Sequence, residues 1–69
     1  MFKQHLAIAE RHVAQGQRHV ARQREIVAEL TNDGHDPRVA EDLLMRFEAT
    51  LAFHVAHRER IIHELAAIE

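Results

Sequence analysis

The chain has no cysteine, no serine, no tryptophan and no tyrosine, and its 69 residues include one proline and two glycines. Each absence removes a class of explanation. Without cysteine there is no disulfide framework, no thiolate nucleophile and no thiolate metal ligand. The same absence fits a reducing compartment, so a cytoplasmic location is expected. Serine and cysteine are the common covalent nucleophiles, and the two remaining hydroxyls, Thr31 and Thr50, stand in no motif. Gly16 and Gly34 are too far apart to form a glycine-rich phosphate loop. No apolar run approaches the roughly 20 residues that cross a bilayer. The opening "MFKQHLAIAERH" has neither a basic leader with an apolar stretch nor a cleavage motif. The expectation is one small, soluble, non-enzymatic domain with no membrane segment.

Nucleic acid is an unfavoured partner. It would rest on Arg11, Arg18, Arg22 and Arg24, which alternate with acids and glutamines and lack aromatic platforms. Formal charge is −2, laid out unevenly: residues 1–31 carry five bases and three acids, residues 32–69 four bases and eight acids. That split helps a hairpin, or a dimer of hairpins, recognise itself.

Histidine is present in excess, with seven residues. Full protonation would move the formal charge from −2 to +5, so the electrostatics depend on pH near neutrality. Three histidines fall in a near-repeat of seven, His5-Leu6-Ala7, His12-Val13-Ala14 and His19-Val20-Ala21, and Ile26-Val27-Ala28 follows with isoleucine in the histidine's place. A position that accepts isoleucine is a partly buried packing position, so the stripe reads as the edge of an interface.

Punctuation occurs once, at "TNDGHDPR", residues 31–38. Gly34 suits the left-handed position past a helix end, and Asp36-Pro37 reads as a cap and first helical residue. The flanks are rich in Ala, Leu, Glu, Arg and Gln, all good helix formers. The pattern predicts an all-α fold: an antiparallel two-helix hairpin over about 3–32 and 37–67, in a single domain spanning 1–69. In the first helix Phe2, Leu6, Ala9, Val13, Gly16, Val20, Gln23, Val27 and Leu30 alternate steps of four and three, as a heptad seam does. In the second, Ala40, Leu44, Phe47, Leu51, His54, Arg58, Ile61, Leu65 and Ile68 do the same. The expected core and interface residues are Leu6, Val13, Gly16, Val20, Val27, Phe47, Leu51, Ile61 and Leu65. Folding about Gly34 puts Phe53 and His54 level with Gly16, which would make room for a ring. It also puts Phe47 level with Gln23 and Arg58 with Glu10 to His12. Ile8, Phe53, Val55 and Ile62 would stay wet in an isolated hairpin, so a homodimer closing a four-helix bundle is expected, with an unidentified protein partner as the other solution.

Chelation along one helix needs ligands one turn apart, and His5, His12 and His19 are two turns apart. His54 and His57 have suitable spacing, with Glu59 and His63 a weaker pair. Set beside His12 or His19 across the hairpin, they are the candidate ligands for zinc, nickel or copper. The expectation is no cofactor, and the alternative is a metal-binding or pH-sensing bundle using His12, His19, His54 and His57. Polar residues on the seam need partners. Four are candidates for burial: Glu10, Gln23, His54 and Arg58. Arg58 either meets Glu10, or an acid of a second chain, or turns outward while Val55 and Ile62 take over the core.

A hairpin with a histidine on its first helix resembles the dimerisation domains of sensor kinases in architecture. The acid and nearby proline that follow their phospho-accepting histidine are missing here, where Leu or Val follows His5, His12 and His19. A second resemblance is closer. "ARQREIVAEL", the "GHD" turn and "LLMRFEATLAFHVAHR" resemble short bacterial helical-hairpin proteins that share ARQREIVAxL, GHD and LLxxFExxLxxHxxHR. It covers nearly the whole chain and implies a free-standing small protein rather than a piece of an enzyme. No assigned function comes with it.

Overall fold

A computed structural model describes residues 2–68. It is an antiparallel hairpin of two α-helices, α1 (Phe2–Asn32) and α2 (Arg38–Ile68), 31 residues each. The hairpin measures 55 × 14 × 12 Å, a rod two helices wide and one helix thick. Among the described residues no helix is long and apolar enough to cross a membrane.

The turn closes with the chemistry its residues allow. Gly34 takes φ 76°, the left-handed conformation that costs glycine nothing. That rotation lets the His35 N–H donate to Leu30 O at 2.8 Å and the Gly34 N–H to Thr31 O at 3.2 Å, the paired bonds of a Schellman end. Pro37 lies just outside α2, so the helix starts one residue later than the sequence suggests, and Pro37 O accepts from the Glu41 N–H at 2.8 Å. Asp36 serves the new helix end: its Oδ1 accepts from the Arg38 N–H at 3.0 Å. The Arg38 guanidinium grips the same carboxylate, and this holds Asp36 below the usual carboxylate range.

The two seams face each other. Ala9, Val13, Val20 and Gln23 of α1 are buried, as are Ala40 and Ile61 of α2. Leu6, Gly16, Val27 and Leu30 are half-buried, as are Leu44, Phe47, Leu51, His54, Arg58 and Leu65. The side chain of Phe2, the first seam position, lies outside the described residues. Ile68, the last, is 65% exposed and does not extend the seam.

Register is where the sequence expectation fails. A β-carbon on Gly16 would sit 3.1 Å from Leu51 Cδ1 and 3.7 Å from Leu51 Cα. Gly16 therefore makes room for the approach of Leu51, not for the ring of Phe53 or His54. Helix side chains lean toward their own N-terminus, and the turn fixes the offset, so counting residues from Gly34 misplaces the level by more than half a turn. With Gly16 opposite Leu51, antiparallel geometry sets Ala9 level with Arg58, Val13 with His54, and Val20 with Phe47. The small residues of α1 thus receive the large ones of α2.

Gln23 is the one buried polar side chain among the described residues, and its Nε2 donates to Ala40 O at 2.9 Å. The bond reaches a helix carbonyl through its spare lone pair, so the buried amide is satisfied without breaking α2. No buried side-chain polar atom among the described residues lacks a partner.

Candidate functional site

The seam has two flanks with different chemistry, and the candidate residues sort between them. On one flank the histidine stripe of α1 meets rings from α2. His12 lies against His54 with ring centroids 5.0 Å apart and planes at 47°. His19 lies against Phe47 at 5.7 Å. Phe53 meets the edge of His54 at 5.8 Å. Toward the open end His5 and His57 line a cleft of about 370 Å³ with Arg60, Ile61 and Glu64. The seven-residue spacing holds the three α1 histidines on one line, because two turns return a helix nearly to the same face.

His54 does bridge the hairpin, through ring contact with His12. The other two candidates lie apart from that pair, His19 on Phe47 and His57 beside His5. Two imidazoles at 5.0 Å can share a water, a proton or a borderline metal ion. Among the described residues no three His, Asp or Glu side chains converge as a ligand set.

On the opposite flank Arg24 bridges to Glu48 at 3.5 Å, an exposed pair across the two helices. Glu10 lies exposed on this side and is not the partner of Arg58. The Arg58 guanidinium instead bonds its neighbour Glu59 at 2.9 Å, with the Arg58 side chain 29% exposed. The side chain is half-buried and ends in an exposed ion pair, the behaviour of a long cation at a bundle edge. Within one hairpin Arg58 pairs with Glu59 rather than Glu10, and Ile62 stays 41% exposed, so Ile62 does not take over the core.

The hydroxyls are occupied locally. Thr31 donates to Val27 O at 2.9 Å and Thr50 to Arg46 O at 3.0 Å, each within its own helix. Sequence reasoning missed the His19–Phe47 contact. Its signal was there, in a histidine flanking the seam one step from Val20, which faces Phe47 once the register is right. No family model, curated protein or solved structure matches the chain.

Proposed function

We propose that this chain is a non-enzymatic helical interaction module that works as a homodimer, two hairpins closing a four-helix bundle, and binds another macromolecule. The observation that supports this is its surface. The hairpin exposes 5386 Å², whereas a compact protein of 8.0 kDa exposes about 4,450 Å². The excess of about 900 Å² is close to what one partner of a standard interface buries, about 800 Å². Large apolar side chains lie within that surface: Phe53 and Met45 are each 68% exposed, and Ile8 and Ile62 are uncovered as well. A helical rod one layer thick has no second layer to cover them. Sedimentation equilibrium at micromolar concentration tests the dimer. The expected mass is twice 8.0 kDa, and a species that stays at 8.0 kDa removes the dimer reading.

The His12–His54 contact favours a second reading, a bundle whose stability responds to protons or to zinc, nickel or copper through His12, His19, His54 and His57. Thermal unfolding of untagged protein with and without zinc, at neutral and mildly acid pH, tests it. A melting temperature indifferent to both removes this reading.

A further inference from the structure

Resting on the metal-responsive reading, we infer that His12 and His54 form a cross-helix site for one divalent ion, zinc, nickel or copper, whose binding clamps α1 onto α2.

The separation of the rings suits one shared ion. Such an ion lies about 2.0–2.1 Å from an imidazole nitrogen, with the ring centroid about 1.1 Å beyond it. Two imidazoles held at about 90–109° around the ion then have centroids about 4.5–5.2 Å apart. His12 and His54 stand at 5.0 Å, so the helices need not move. Their planes cross at 47°, and each ring is free to turn about its bond to the ion. Among the described residues neither ring makes a hydrogen bond or an ion pair, so nothing competes for its acceptor nitrogen. His12 is exposed and His54 half-buried, and the broad two-fold torsion of a histidine ring lets either nitrogen be presented. Arg58, one turn beyond His54, would oppose a cation, but its guanidinium is already tied to Glu59.

The neighbouring imidazoles do not offer the same geometry. His19 rests on Phe47, a ring without a ligand atom. His57 lines the cleft with His5, where the Arg60 guanidinium shares the space. Two protein nitrogens leave the rest of the coordination sphere to water, so the site is open and exchangeable rather than a closed structural cage. Copper is expected to bind more tightly than nickel or zinc.

A clamp differs from casual binding in its effect on stability. A single exposed histidine binds an ion alike in the folded and unfolded chain and shifts nothing, whereas the His12–His54 pair exists only in the closed hairpin. The two residues are also far apart in sequence, and a clip that closes a long loop restrains the unfolded chain most.

Thermal unfolding of the untagged chain at neutral pH, followed by circular dichroism, supplies the test. Each variant is compared with itself, with and without zinc, so differences in starting stability drop out. With zinc at about five times its dissociation constant, the parent is expected to melt about 4–8 °C higher. His12→Gln and His54→Gln are each expected to lose that rise, while His19→Gln and His57→Gln keep it. Protons compete for the same nitrogens, so the rise shrinks in mild acid. A rise that His12→Gln keeps and His57→Gln loses places the ion along α2 alone, which overturns the clamp and leaves the metal reading standing. A rise that survives all four substitutions marks adventitious binding and overturns the clamp as well. A parent indifferent to zinc, nickel and copper removes the metal reading itself.

Discussion

The two flanks of the seam are built from the same helices at the same spacing, yet they work differently. On one, an ion pair spans the helices between side chains that are 64% and 47% exposed. On the other, imidazoles lean on each other and on Phe47. An exposed ion pair contributes about 0–1 kcal/mol and weakens with salt, because water and counterions already satisfy both charges. Ring contacts remove apolar area from water and need no counter-charge. The hairpin is therefore closed by the seam and its ring flank, while the ion-paired flank mainly sets which helix faces can meet. That difference shows that two flanks built at one spacing can carry cross-helix contacts of opposite salt dependence.

Removing the ring flank is the largest expected break. Phe47→Ala should cost about 2–3 kcal/mol in chemical denaturation, since a half-buried phenylalanine forfeits part of the 3–5 kcal/mol of a fully buried one. For a chain this small that approaches the whole stability. Gln23→Ala comes next, with a loss of about 1–2 kcal/mol, because it deletes the 2.9 Å bond to Ala40 O and leaves a gap. Double-mutant cycles then compare the flanks directly. The His12/His54 coupling should be about 0.5–1 kcal/mol and survive added salt. The Arg24/Glu48 coupling should be below about 0.5 kcal/mol and fade as salt rises. Equal couplings with equal salt dependence would erase the contrast.

The smallest effect lies at the turn. Asp36 is held below its ordinary range, first by its side-chain bond to Arg38 and then by the Arg38 N–H. A depressed carboxylate stabilises the fold above its unfolded value, about 3.9, and that contribution disappears as pH falls through the lower folded value. Asp36→Asn should therefore differ slightly from the parent at neutral pH and match it in strong acid, as read by amide exchange in the first turn of α2.

The helices, the seam and the turn were legible because each rests on local rules. Apolar spacing picks out a face, Gly34 supplies a positive φ, and Asp36 supplies an acceptor. The level of one helix against the other was not, because it depends on turn geometry and side-chain lean that residue numbers do not carry. An error of that size put Phe53 or His54 where Leu51 belongs. Arg58 misses Glu10 for another reason. A long cation reaches several carboxylates, and the adjacent Glu59 confines it less than a cross-helix partner such as Glu10 would.

The bond from Gln23 to Ala40 spans 17 positions of sequence, whereas the rings of His12 and His54 are joined by a far longer stretch of chain. Closing the short loop forfeits less chain entropy, so the turn end assembles first and the rest zips outward from it. The free ends of the rod, where His5 and His57 line one cleft, are then the last part to order and the first to open. That places the cleft between them at the end of the molecule with the shortest lifetime in the folded form.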